Sequence, residues 1–242
     1  MRKRTMFKAL IAMIATLAAA ATANAEPKLG SRLSSDHVRD TRAYPEELAA
    51  KTAHSLVVCL LAHDVKGATT LLTTGDKVAA DKAYRSLLRW SVNNCNMLGD
   101  ASPLSDQVGF AIPKDIFRGL VAERLVAKQL AALAAMPPLP VQMTYSRPWF
   151  PVSNREPVVN EMAVCLAETD PTGTAALFRT TAYSTQEVTA IQNLGPAMQK
   201  CLRVGVKLRA NRQTLRAALA EGAFNRLIDP AASIVSPSVV PK

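Results

Sequence analysis

The chain lacks the short motifs that carry catalysis or nucleotide binding in many enzyme families. It has no G-x-S-x-G nucleophile elbow, no P-loop, no G-x-G-x-x-G phrase and no H-E-x-x-H pair. Only three histidines occur, and His54 and His63 are nine positions apart, so they share neither a helical face nor a metal-ligand spacing. The sequence therefore offers no catalytic residue to assign, and a non-enzymatic role is the simpler hypothesis.

Closely spaced metal ligands and long basic runs are also absent. The four cysteines contain no C-x-x-C pair, which argues against structural zinc, and no cofactor is indicated. The 29 Lys and Arg residues outnumber 19 Asp and Glu, but they are scattered instead of forming a run that follows phosphates. We therefore expect no nucleic-acid partner. No strand-length alternating pattern competes with helix.

Residues 1–25 have the pattern of a cleavable secretory signal. Basic residues precede an uncharged stretch over residues 9–23, which ends in Ala23-Asn24-Ala25 with small residues where signal peptidase cuts. The stretch is shorter than the roughly 20 apolar residues that span a bilayer, so no transmembrane anchor is expected after cleavage. Removing the signal lowers the formal net charge from +10 to +6. The predicted location is the periplasm or the exterior.

Aligning the chain with itself at an offset of 106 residues indicates an internal repeat. Val58-Cys59-Leu60 matches Val164-Cys165-Leu166, and further along Cys95 matches Cys201. Asp64 matches Asp170. After a shift of eight residues, both copies carry an apolar-Arg-x-x-apolar-Ala-Glu phrase, which aligns Arg118 with Arg216 and Glu123 with Glu221.

The shared polar residues have ordinary structural roles available. The aspartates are placed to cap helices, and the arginines and glutamates can pair with neighbouring helices or face water. The competing hypothesis gives Glu123, Glu221 or an aspartate of one copy an acid–base role in hydrolysis, which requires a cleft.

The fold class predicted from helical spacing is all-α, with two tandem four-helix modules joined by a Pro-rich connector. Residues 46–63 and 157–168 form the first helices, while residues 113–135 and 211–227 form the fourth. Ser184 to Glu187 matches a capping box, and Gly195-Pro196 predicts a kink or a restart. The predicted domains are a signal peptide (1–25), a loosely ordered segment (26–45), module 1 (46–136), the connector (137–157), module 2 (158–229) and a flexible tail (230–242).

The connector is rich in proline, which favours an extended chain. Its aromatic residues Tyr145, Trp149 and Phe150 are expected to pack between the modules, with a ligand-binding platform as the less favoured alternative.

Four cysteines in an exported protein indicate two disulfides, for which three connectivities are possible. If each copy folds as a unit, the repeat selects Cys59 with Cys95 and Cys165 with Cys201. Loops of this size stabilise by roughly 3–4 kcal/mol each in the chain-entropy account.

The V-C-L and L-R-x-x-L-A-E phrases resemble those of a loose group of uncharacterised secreted bacterial proteins with duplicated cysteine-bearing helical modules. The resemblance covers both modules and implies no activity, so it assigns no functional residue. We expect a binding or structural protein of the cell envelope, whose partner is an envelope protein or a second copy. The alternatives are an envelope hydrolase and an inhibitor of an exported enzyme.

Overall fold

The computed structural model describes residues 46–95, 112–203, 205–206, 208 and 210–230. The predicted signal peptide, the segment 26–45 and nearly all of the tail lie outside these residues. The described residues contain no strand, which confirms the all-α class. Their nine helices are α1 (Glu46–His63), α2 (Val65–Thr73), α3 (Lys77–Asn94), α4 (Lys114–Val126), α5 (Leu130–Ala134), α6 (Pro157–Thr169), α7 (Pro171–Phe178), α8 (Thr185–Cys201) and α9 (Arg212–Ile228).

Side-chain caps set several helix starts. Oδ1 of Asp64 accepts a hydrogen bond from the Gly67 amide at 2.7 Å, and Oδ1 of Asp170 accepts from Gly173 at 2.8 Å. The two aspartates predicted to cap helices therefore do so, each satisfying an amide of the first turn. The bend of 110° between α1 and α2 occurs at Asp64.

One predicted helix boundary was wrong, and a second expected break is not a restart. The helix predicted over residues 113–135 ends at Val126, because the amides of Lys128 and Gln129 bond three residues back and α5 then restarts with Leu133 buried. Conversely, α8 continues through Pro196 without a restart. Proline leaves the carbonyl of Gln192 without its helical donor, and since Gln192 is exposed, water can supply one.

The centre of the molecule is the packing of α4 against α9. A methyl group on Gly119 of α4 would overlap Ala217 of α9, so the two backbones approach closely at this point. One continuous apolar core includes residues of α1–α5, which we call the N-terminal helices, and of α6–α9, the C-terminal helices. The two sets thus share their interior.

The connector packs as the sequence predicts for its aromatic residues. Tyr145 and Trp149 are buried in a second, smaller cluster with Ala80 of α3 and Val164 of α6. A short 3-10 turn over Phe150–Val152 follows Trp149. The connector therefore contacts both sets of helices.

The disulfides join Cys59 to Cys95 and Cys165 to Cys201, which is the pairing favoured by the repeat. Each bond connects the first helix of its set to the C-terminal end of the third, at the same sequence separation of 36 residues. Within the described ranges, no single helix is long and apolar enough to cross a membrane, although α1 and α2 pass that test as a bent pair.

Candidate functional site

Four charged residues that the repeat aligned meet where α4 packs on α9. Nε and Nη2 of Arg118 donate to Oε1 of Glu221, the former at 3.0 Å. Reciprocally, Nε and Nη2 of Arg216 donate to the two carboxylate oxygens of Glu123 at 2.9 and 2.8 Å. Each arginine thus pairs with the glutamate of the other helix, α4 with α9.

Glu221 is enclosed completely. Its side chain is 0% exposed, and a second arginine, Arg155 of the connector, donates to Oε2 at 2.6 Å. Burial by itself would raise the pKa of Glu221, but the charges and hydrogen bonds of Arg118 and Arg155 outweigh it and hold the pKa below its usual value. This carboxylate is therefore ionised at neutral pH and inaccessible to a substrate.

Glu123 occupies the matching position on α4 but lies nearer the surface, with 12% of its side chain exposed. Its partner Arg216 also donates to Glu187 at 3.1 Å and to the Thr180 carbonyl at 2.9 Å. Although burial opposes the charged form, the two glutamates raise the pKa of Arg216. Both glutamates predicted as acid–base candidates are thus held in arginine ion pairs.

A small cavity borders this second ion pair. Its lining includes His54, Tyr183 and Gln213. Its volume of about 10 Å³ is about the space that a single water molecule needs. Burial lowers the pKa of His54, assisted by Arg216 and Arg124 and opposed by Glu123 and Glu187. The geometry is that of a hydration site and leaves no room for a substrate.

The predicted capping box at α8 is formed only in part. The Ser184 hydroxyl accepts from the Glu187 amide at 3.1 Å, as expected. The Glu187 carboxylate, however, accepts from the amide of Tyr183 at 2.7 Å, one residue earlier than the motif specifies. Tyr183 itself has a positive φ of 65°.

A larger cavity of about 180 Å³ lies between the connector, α6 and the C-terminal end of α9. Trp149, Val164 and Gly222 form part of its buried floor, and Thr73 at the end of α2 contributes to its exposed rim. The full lining consists of Thr73, Arg147, Pro148, Trp149, Val164, Glu168, Gly222, Asn225, Arg226, Ile228 and Asp229.

Two buried N–H donors on this lining have no acceptor. Nε1 of Trp149 and Nε of Arg226 are both without a hydrogen-bond partner, in residues that are only 2% and 5% exposed. Leaving a buried donor unsatisfied costs roughly 1–3 kcal/mol. The cavity lined by these two residues is the strongest candidate binding site in the described part of the chain.

Other charged groups on the lining are already engaged. Arg147 donates to Oε1 of Glu168 at 2.7 Å, and Gln142 donates to Oε2 at 3.4 Å. Arg226 donates through Nη1 to the Pro230 carbonyl at 3.2 Å and through Nη2 to that of Pro137 at 3.4 Å. Its guanidinium is bonded to neutral carbonyls and, among the described residues, forms no ion pair with a carboxylate.

Sequence reasoning did not single out Arg226 or Arg147, and it treated Trp149 mainly as a packing residue. A cation in the last turn of a helix has an ordinary role beside the terminal carbonyls, so Arg226 carries no distinctive signal. The only indication was the aromatic connector, for which a ligand platform was the less favoured alternative.

No group of three or more His, Cys, Asp or Glu side chains that could hold a metal ion occurs within the described residues. No family model, no curated protein and no solved structure matches this chain. Function is therefore argued from the geometry.

Proposed function

We propose that this chain is an exported helical binding protein of the cell envelope, and that the 180 Å³ cavity beside Trp149 and Arg226 is its ligand site. Export is supported by the signal pattern of residues 1–25 together with the two disulfides, which persist in oxidising compartments. The location is the periplasm or the exterior.

The observation that carries the proposal is the cavity itself, whose lining includes two buried residues, Trp149 and Arg226, that each have an N–H group without a partner. Buried polar groups in folded proteins nearly always have partners, so two unpaired N–H groups in residues of one lining favour a ligand with polar atoms. Ligand pockets commonly combine apolar walls with a few polar groups of this kind. The cavity also joins the connector to both sets of helices, which suits a site built between them.

The proposal includes two tandem modules that arose by duplication. It is supported by the reciprocal pairs of Arg118 with Glu221 and of Arg216 with Glu123. The hydrogen bonds of Arg118 to the Leu71 carbonyl and of Arg216 to that of Leu177 also correspond at the repeat offset. In this reciprocal arrangement each half contributes the same residue types to the contact, as the two subunits of an isologous dimer do.

The geometry favours binding over the hydrolase hypothesis. A general acid or base must reach the substrate and exchange a proton. Glu221 is buried under two arginines, and Glu123 is held bidentately by Arg216.

The test uses the indole N–H signals of the purified chain in proton–nitrogen NMR. The chain has two tryptophans, and Trp90, which stacks on His63 at 3.8 Å between ring centroids, is the internal control. Compounds that enter the cavity should shift the Trp149 signal, leave Trp90 in place and raise the melting temperature. A diverse set of small compounds and envelope extracts that never moves the Trp149 signal would contradict the proposal.

A further inference from the structure

The outer face of α3 carries a row of basic side chains. Lys82, Arg85 and Arg89 are exposed and follow one another at spacings of three and four residues, which places them on one side of the helix. Val78, which is 75% exposed, precedes Lys82 by four residues. At 3.6 residues per turn, the four side chains lie within about 60° of one another around the helix axis and extend over roughly 16 Å. We call these four residues the basic stripe.

The three cations of the basic stripe form no ion pair within the described ranges. The one acidic residue of α3, Asp81, is instead engaged by Lys77 at 3.0 Å and by Lys114 at 2.5 Å. Hydrogen bonds from Lys114 and Lys77 lower the pKa of Asp81 to about 2, so its charge is already balanced. The stripe therefore presents uncompensated positive charge to the solvent.

The helices that pack on α3 do not supply the missing negative charge. Helix α2 contains no acidic residue, and Glu47 at the start of α1 is paired with Lys51 at 2.8 Å. Asp64 and Asp76 each use Oδ1 to cap a helix. The partner of the stripe must therefore come from outside the described part of the chain.

The fold does not need charge at these positions. At the repeat offset of 106 residues, the three cations align with uncharged residues of α8, namely Val188, Ile191 and Gly195. Helix α8 nevertheless forms and ends in a disulfide with the same sequence separation. A role in building the helix therefore does not account for the basic stripe, whereas an anionic partner does.

The shape of the stripe indicates the kind of anion. Neither of the cavities described above is lined by a residue of α3, so the stripe lies on the outside of a single helix. Small anions and other discrete ligands are bound in concave sites with convergent polar groups. A layer of anionic lipid headgroups is extended, and it attracts rows of Lys and Arg at its surface. Val78 adds an exposed apolar side chain of the kind that enters the headgroup boundary.

We infer that the basic stripe holds the chain against an anionic lipid bilayer, with Lys82, Arg85 and Arg89 at the headgroup phosphates and Val78 at the acyl boundary. The inference goes beyond the cavity proposed as the ligand site. It rests on the proposed function only for the exported location, where the chain meets the membranes of the envelope. Three cations and one valine give weak attachment, so the binding is reversible.

Vesicle flotation tests the inference on the chain purified in the form that cells export. Vesicles of phosphatidylcholine alone are compared with vesicles of phosphatidylcholine and phosphatidylglycerol in equal parts. The chain should float only with the anionic vesicles, and raising the ionic strength from about 0.01 M to about 0.15 M should release most of it, because salt screens exposed charges. A chain that binds both kinds of vesicle equally, or neither, would overturn the inference.

Two triple variants locate the contact. Replacing the three cations of the stripe by glutamine should weaken binding to anionic vesicles about a hundredfold, since each contributes about fivefold. The matched control removes the same charge from exposed positions elsewhere, in the variant Lys128→Gln, Arg179→Gln, Lys200→Gln. Both variants should keep the parent melting temperature, because exposed substitutions cost little stability. Equal losses of binding in the two variants would show that net charge and not the stripe is responsible.

A further pair of variants separates a bilayer from a soluble acidic protein. Val78→Ser should weaken binding to anionic vesicles severalfold and leave binding to soluble polyglutamate unchanged, because only the bilayer buries the valine. Val141→Ser, at a position 47% exposed in the connector, is the control and should behave as the parent chain does. If polyglutamate binds more tightly than the vesicles and Val78→Ser changes neither, the partner is an acidic protein and the bilayer assignment is wrong. None of these outcomes bears on the cavity, which is tested separately through the Trp149 signal.

Discussion

Glu123 and Glu221 occupy the same place in the repeated sequence phrase, yet their surroundings differ. Glu221 is fully buried against Arg118 and Arg155, whereas Glu123 is partly exposed and shares Arg216 with Glu187. Residue identity alone therefore does not determine the energetic weight of either carboxylate. The stability lost when a carboxylate is removed depends on how many cations that removal leaves unpaired.

Replacing the two glutamates one at a time should give unequal losses. Glu221→Gln leaves two buried guanidiniums without a carboxylate and should lower the free energy of unfolding by about 3–5 kcal/mol. Glu123→Gln leaves Arg216 paired with Glu187 and should cost about 1–3 kcal/mol. Urea unfolding of both variants measures the difference. Equal losses would show that burial of the network does not govern its contribution.

His54 makes stability depend on pH in the mildly acidic range. Its pKa is lowered in the folded state, mainly by burial, so the unfolded chain takes up the proton first as the pH falls through about 6.5. The folded state therefore loses stability from about pH 6.5 down to the lowered pKa. Glu123, Glu187, Arg216 and Arg124 are the charged groups that act on it.

The variant His54→Asn carries the residue found at the aligned position, Asn160, and cannot take up this proton. Its melting temperature should fall less between pH 7.5 and 5.5 than that of the parent chain. His63→Asn, at the exposed end of the same helix, is the control for losing a histidine. An unchanged acid dependence in His54→Asn would contradict the assignment of this slope to His54.

At the scale of helices, the contact of α4 with α9 depends on a small residue. Gly119→Ala would drive a methyl group into the Ala217 side chain and backbone, and overpacking of this kind costs about 1–3 kcal/mol. Gly195 in α8 has no atom beyond its own chain neighbours within 4 Å of an added Cβ, but Pro196 disfavours a helical residue with a Cβ before it, so the gain in helix propensity is offset and Gly195→Ala should be nearly neutral. Thermal unfolding should therefore show a clear loss of stability for Gly119→Ala and little change for Gly195→Ala, and a stabilised Gly119→Ala would contradict the close packing.

Helix ends with a local cause could be predicted from the sequence. The bounds of α1 and the caps at Asp64 and Asp170 follow from spacing and side-chain chemistry within a few residues. The break after Val126 could not be predicted, because the Ala- and Leu-rich segment that follows consists of strong helix formers. Tertiary packing of α5 on α7, with Leu133 buried, determines it.

The candidate site could not be predicted from the sequence, again because it depends on tertiary packing. The sequence alignment matched Arg118 with Arg216 and Glu123 with Glu221, but it gave corresponding positions and not partners. Their reciprocal pairing depends on how α4 meets α9. Trp149 and Arg226 are far apart in the sequence and have no shared pattern, so only the folded chain places both on one cavity.

At the scale of the whole molecule, two kinds of linkage hold the chain together. The disulfides lie within the N-terminal helices and within the C-terminal helices, and neither joins the two sets. The sets are instead joined by the connector and by the shared apolar core around α4 and α9. If the core contributes most of this association, the connector should be dispensable once the protein has folded.

A protease site inserted between Met143 and Thr144 tests this, since both residues are exposed, Met143 by 97%. After cleavage, the two fragments should elute together in native size-exclusion chromatography and separate on a non-reducing denaturing gel, because each disulfide lies within one fragment. The cleaved Glu221→Gln variant should dissociate at a lower urea concentration, and its dissociation should depend on protein concentration. Fragments of the parent chain that separate in native buffer would show that the connector is needed to hold α4 against α9.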